Sequence, residues 1–183
     1  MVDLKDIENR MDGAVESFSQ NLSGLRTGRA STGLVENLKV EVYGSVMPLN
    51  QVASINVPEA RTISITVWDA SNVSAVEKAI NNSDLGLNPN SEGSVIRLNL
   101  PDLTEERRKE LVKIASTYAE QARVAVRNVR KDGMDTIKKE EKDSQISEDE
   151  MHAYSDDIQK LTDDHIEQID SMLKDKEKDI MTV

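Results

Sequence analysis

The side chains best placed to meet another molecule are cations between residues 109 and 138. Lys109, Lys113, Arg123, Arg127, Arg130, Lys131 and Lys138 gather on one side of a helical wheel drawn at about 100° per residue. Such groups at fixed helical spacing suit phosphate oxygens, because arginine offers a planar fork of N–H donors and lysine a compact charge. Residues 107–139 hold ten Lys/Arg against four Asp/Glu, whereas 1–106 hold eight against fifteen and 140–183 five against fifteen. The total of −11 therefore conceals a basic helix between acidic flanks. Charge alone leaves three occupants for that face: water, a nucleic acid, or an acidic protein. Arg26 and Arg29 stand at the end of an earlier helix, as partners of its C-terminal dipole or as part of a basic surface.

Catalytic chemistry has little to work with. The chain has no cysteine, which excludes disulfides, thiolate nucleophiles and thiolate metal sites. His152 and His165 are the only histidines. His165 falls on an apolar seam and reads as a packed core residue, while His152 with Asp156 lacks the third and fourth ligands of a metal site. The Gly86–Asn90 loop has neither the lysine nor the following helix of a nucleotide-phosphate loop. Carboxylate pairs are unavoidable in a chain with 34 acids and do not indicate paired-carboxylate catalysis. The expectation is a binding protein, not an enzyme, with no cofactor and no metal. Aromatics make up only 3% of residues, so a nucleic-acid partner would be read by phosphate shape and not by base stacking. No apolar run suits a signal peptide or a membrane span, which makes a soluble cytoplasmic protein the expectation.

The elements that carry these residues follow from periodicity. Residues 3–27 read as a helix capped by Asp3, with Leu4, Ile7, Met11, Ala14, Phe18, Leu22 and Leu25 at spacings of three and four. Thr104 caps a second helix to about Lys139, with Leu111, Ile114, Tyr118, Ala122, Ala125 and Val129 as its apolar stripe and Gly133 as a point of bending. Ser147 and Glu150 make a capping box for a third, whose seam is Tyr154, Ile158, Leu161, His165, Ile169, Met172, Lys176 and Ile180. Three amphipathic helices, each with one seam, pack as a long bundle. Between residues 31 and 103 the period changes to two: strands at 38–42, 46–49, 53–57, 62–68 and 95–100 surround a short helix at about 71–82. Leu85–Asn90 reads as loop. This insert holds four Lys/Arg against eight Asp/Glu, which suits a protein partner better than RNA. The fold class is α+β: residues 1–30 and 104–183 as a long three-helix bundle, with 31–103 as an inserted domain on short paired connections. Two functions fit this layout, a ribonucleoprotein-binding factor using the basic face, or a coiled-coil-like adaptor for an acidic protein.

Four strings narrow that choice. Arg26-Thr-Gly-Arg-Ala-Ser31, Asp84-Leu-Gly-Leu-Asn-Pro-Asn90, Leu103-Thr-Glu-Glu-Arg-Arg-Lys109 and Glu120-Gln-Ala-Arg-Val-Ala-Val-Arg-Asn-Val-Arg130 together resemble the bacterial ribosome-recycling factor family, in order along essentially the whole chain. The resemblance implies an L-shaped protein of tRNA-like dimensions, a three-helix bundle with a hinged β/α/β domain. It implies ribosome recycling: a monomer binds the post-termination ribosome through large-subunit rRNA. Elongation factor G, hydrolysing GTP, then acts on the second domain to separate the subunits, releasing mRNA and tRNA. It implies rRNA contacts at Arg130, Arg127, Arg123, Arg26 and Arg29, with Lys131 as a basic neighbour. Gly28, Ala30, Ser31, Gly33, Pro101 and Leu103 fall at the two connections and are the expected hinge.

Overall fold

Side-chain caps start the three long helices. In the computed structural model, which describes residues 1–182, Asp3 Oδ1 accepts from the N–H groups of Lys5 and Asp6 at 2.9 and 3.2 Å, and α1 runs Leu4–Ser23. Residue 183, the last position of the expected bundle range, lies outside the described residues. Thr104 Oγ1 accepts from Arg107 N at 3.2 Å before α3, Glu105–Lys142. The capping box forms in full: Glu150 N donates to Ser147 Oγ at 3.2 Å, and Ser147 N to Glu150 Oε2 at 2.8 Å. It opens α4, Glu148–Met181. At 1.5 Å per residue α3 and α4 are roughly 57 and 51 Å long. Helix α1 stops just before Gly24, short of the expected Thr27.

The chain divides into two compact units, Met1–Leu22 with Val112–Lys178, and Ser23–Leu111 with Asp179 and the residues after it. These divisions fall inside α1, α3 and α4. The ends of α3 and α4 are bonded into the second unit's own structure. Arg108, itself buried, donates from Nη1 to the carbonyls of Ile180 and Thr182 at 2.9 and 2.7 Å, closing the C-terminus of α4.

The first unit is helical. Arg10 pairs with Asp132 at 2.6 Å, and the Met1 ammonium with buried Glu140 at 2.9 Å, so α1 and α3 run antiparallel. Met134 against Ser155, Arg130 against Gln159 and Arg123 against Asp170 make α3 and α4 antiparallel too. His165 bridges α4 to α1: its Nε2 lies 2.8 Å from Asp12 Oδ1 and its Nδ1 2.6 Å from the Leu161 carbonyl. It is the packed histidine the seam predicts. The side chains buried along α1 are Ile7, Met11, Val15, Phe18 and Leu22. Helix α3 runs unbroken through Gly133. A Cβ there would lie 2.9 Å from Ile7 Cδ1 and 3.1 Å from Ile158 Cδ1, so the missing side chain is what lets the three helices close.

The second unit is built on an antiparallel sheet in the order β3-β4-β6-β5, formed by Ala53–Glu59, Thr62–Val67, Val95–Asn99 and Pro89–Glu92. Ile63, Ile65 and Val67 alternate inward from β4, and Ile96 and Leu98 from β6. A separate hairpin, β1 (Lys39–Val42) and β2 (Ser45–Pro48), and helix α2 (Val73–Asn81) add Val40, Val42, Val76 and Ile80 to the same core. Its two-residue turn places Tyr43 at φ 52 and Gly44 at φ 73, the left-handed pair that a right-twisted hairpin requires. Tyr43 is held there by its hydroxyl, which donates to Asp69 Oδ2 at 2.6 Å and accepts from Asn72 Nδ2 at 3.0 Å. Strand β5 corrects the expectation of plain loop through Asn90. Proline and three polar residues carry no strand pattern, but on a sheet edge they need only one paired side.

Candidate nucleic-acid interface

The arginines of α3 owe their setting to where the buried seam lies. The buried apolar side chains of α3 are Leu111, Ala115, Ala119, Ala122, Val126, Val129 and Ile137, with Gly133 between the last two. Ile114, Tyr118 and Ala125, expected in the stripe, are only half-buried. The true seam is rotated by about 60° towards the basic face, at about 100° per residue. That rotation brings Arg123 and Arg130 to the seam's margin, where both are half-buried, and leaves Arg127 and Lys131 exposed. The small alanines are the reason: they allow close approach where larger side chains would hold the neighbours away.

Each guanidinium at the margin is oriented by α4 or by α3 itself. Arg123 donates from Nε and Nη2 to Asp170 Oδ1 at 2.8 and 2.6 Å, and from Nη1 to Glu120 Oε2 at 3.1 Å. Arg127 Nη1 donates to the other Glu120 oxygen, Oε1, at 3.0 Å. Hydrogen bonds from Arg123 and then Arg127 hold the Glu120 carboxyl below the ordinary carboxylate range. Burial works against the charge of Arg123, but hydrogen bonds to Asp170 and Glu120 outweigh it and raise its pKa. Arg130 Nη1 donates to Gln159 Oε1 at 3.0 Å, while its Nε is buried without a partner. Among the described residues no ion pair engages Lys131. Chemically, this is a row of fixed, permanently cationic donors spaced one and two helical turns apart, suited to successive phosphates.

The remaining residues singled out in the sequence lie in the second unit. Arg26 is buried and donates from Nη2 to the Pro101 carbonyl, so it ties together the two connections. Burial, and then the nearby Arg107 charge, lower its pKa against the pull of Asp102. Arg29 is exposed. Gly28 sits where a Cβ would lie 3.3 Å from the Thr182 carbonyl, and at Gly33 one would meet Ser23 Cβ at 2.9 Å. Ala30 N donates to the Ala60 carbonyl at 2.7 Å, Ser31 Oγ accepts from Gly33 N at 3.2 Å, and the Leu103 carbonyl accepts from Arg108 Nε at 3.4 Å. No cluster of three or more potential metal ligands occurs among the described residues.

Sequence reasoning overlooked Glu120, Asp170 and Gln159. Glu120 was legible, standing three and seven residues before the arginines it joins. Asp170 and Gln159 were not, because their roles depend on the register of α3 against α4, which no local pattern encodes.

Comparison with known proteins supplies the family. A family model described as ribosome recycling factor matches residues 18–181. The ribosome-recycling factor of Erythrobacter litoralis is 57% identical over 180 residues, covering 98% of this chain and 97% of the relative. That of Sinorhizobium medicae is 58% identical over 182 residues, covering 100% and 98%. A solution structure of the ribosome recycling factor matches with a TM-score of 0.75 at 48% identity over the whole of both chains. The Thermus thermophilus factor, placed with Escherichia coli elongation factor G on the E. coli post-termination complex, matches at 0.68 with 44% identity, covering 99% of this chain and 100% of that one. Together with a three-helix unit bearing a row of oriented arginines, and an α+β unit, these likenesses show that the chain belongs to the ribosome recycling factor family.

Proposed function

We propose that this chain recycles ribosomes by seating the cationic face of α3 on large-subunit rRNA of the post-termination complex. Elongation factor G, with GTP, then acts on it to separate the subunits and release mRNA and tRNA. The function and both partners accord with the family and with the related factor seen beside elongation factor G on a post-termination ribosome. As a member of a family of translation factors, the chain is not an enzyme; the GTP is hydrolysed by its partner. The single observation that carries the interface is the row of arginines on α3, with Arg123 and Arg130 oriented by Asp170 and Gln159 of α4.

Arg130, Arg127, Arg123 and Lys131 are the rRNA contacts on that row. Arg26 and Arg29 are further contacts in the second unit, Arg29 through an exposed side chain and Arg26 from its buried place beside Pro101. Residues 31–103 form the protein-facing part, with 28–33 and 101–103 as its paired hinge. A monomer acting in the cytoplasm fits this role, and no helix among the described residues is long and apolar enough to cross a membrane. The test is splitting of purified post-termination ribosomes followed by light scattering. Splitting should require this chain, elongation factor G and GTP together; splitting unaffected by leaving out the chain refutes the proposal.

A further inference from the structure

Glu120 holds a position that the proposed interface has no use for. Its two carboxylate oxygens are divided between two guanidiniums, Oε2 to Arg123 and Oε1 to Arg127, at 3.1 and 3.0 Å. An anion bridging two arginines one helical turn apart is the arrangement a backbone phosphate adopts on such a pair. We infer that Glu120 is an internal stand-in for phosphate: it occupies the Arg123–Arg127 site in the free protein and is displaced when RNA binds there.

The geometry separates two carboxylates with different parts to play. Asp170 takes both Nε and Nη2 of Arg123 on a single oxygen, from the neighbouring helix, and so fixes the plane of that guanidinium. Glu120 takes only Nη1 and is itself half exposed. It borders an open depression on α3 lined by Ser116, Thr117, Gln121 and Val124, which offers a displaced side chain open space. Asp170 is the positioning residue and Glu120 the exchangeable one.

The consequence is selectivity. A stray phosphate must displace Glu120 to reach the pair and gains little net electrostatic energy by the exchange. A surface that also engages Arg130 and Lys131 gains contacts that need no exchange of carboxylate. The self-occupied site thus lowers the affinity of every complex that uses the pair by the same factor, and only a surface that also engages Arg130 and Lys131 keeps enough contacts to bind tightly.

This inference rests on the proposed rRNA interface, and the experiment keeps the two apart. Glu120→Gln is compared with Asp157→Asn, which removes one exposed charge from α4, by anisotropy of a labelled generic RNA duplex at several salt concentrations. Glu120→Gln should bind the duplex roughly three- to tenfold more tightly at low salt, the size of two exposed ion pairs no longer to be broken. Its salt dependence should steepen by about one phosphate contact. Affinity for isolated large ribosomal subunits, measured by sedimentation, should rise by a similar factor. Glu120→Gln indistinguishable from Asp157→Asn overturns the inference. Arg127→Glu supplies the separation. If it abolishes large-subunit binding while Glu120→Gln changes nothing, only the stand-in role of Glu120 is refuted; if it too leaves binding intact, the interface is refuted with it.

Discussion

Replacing Gly133 by alanine opposes two effects of known size. In the interior of a helix alanine is favoured over glycine by about 1 kcal/mol. Against that, the new methyl would stand 2.9 Å from Ile7 Cδ1 and 3.1 Å from Ile158 Cδ1, both inside van der Waals contact. Ile7 is buried and Ile158 wholly so, which leaves their methyls little room to retreat. Overpacking of this kind costs about 1–3 kcal/mol, so Gly133→Ala should be neutral to destabilising by about 2 kcal/mol. The sign should reverse when the nearer obstacle is removed. Ile7→Val deletes the Cδ1 in question and by itself costs about 0.5–1.5 kcal/mol. In that background Gly133→Ala should stabilise, giving a favourable coupling of at least about 0.5 kcal/mol. Urea titrations of the four proteins, followed by circular dichroism at 222 nm, close the cycle. A gain of the full 1 kcal/mol from Gly133→Ala alone, with no coupling to Ile7, would refute close helix packing as the reason for the glycine.

Two further outcomes follow from the same contacts. Glu120 and Glu150 are held below the ordinary glutamate value of 4.5, Glu120 by Arg123 and Arg127, and Glu150 by Ser147. Their stabilisation is therefore present above that value and lost as pH falls through their lower folded values, and thermal melts from neutral to acid pH should show Glu150→Gln flattening the fall. Arg26→Met should destabilise the protein by about 1–3 kcal/mol in thermal melts, by leaving the Pro101 carbonyl without its donor, whereas Arg29→Ala should leave the melting temperature unchanged.

How far the sequence could be read depended on whether a feature was local. The caps at Asp3, Thr104 and Ser147 and the alternation of β4 were legible, because each is fixed by residues within a turn or two. The seam of α3 was misplaced by part of a turn, since large side chains at Ile114 and Tyr118 look more core-like than the alanines at 115 and 119. Alanine is buried there for what it allows its neighbours to do, which hydropathy does not register. The packing role of Gly133 escaped notice for the same reason. In the candidate site the arginines themselves were legible from charge and spacing, and Glu120 was within reach of the same reasoning. The anchoring by Asp170 and Gln159, and the burial of Arg26 under Pro101, needed contacts across 47, 29 and 75 residues of sequence.

The central claim is that the cationic row on α3 is the ribosome-binding surface, and Arg130 is its most direct test. Arg130→Glu and the unaltered protein are sedimented with isolated large ribosomal subunits across a series of salt concentrations. The variant should keep its helical circular dichroism, lose more than about tenfold in affinity, and show a salt dependence shallower by about one contact or more. Binding equal to that of the unaltered protein at every salt concentration would contradict it.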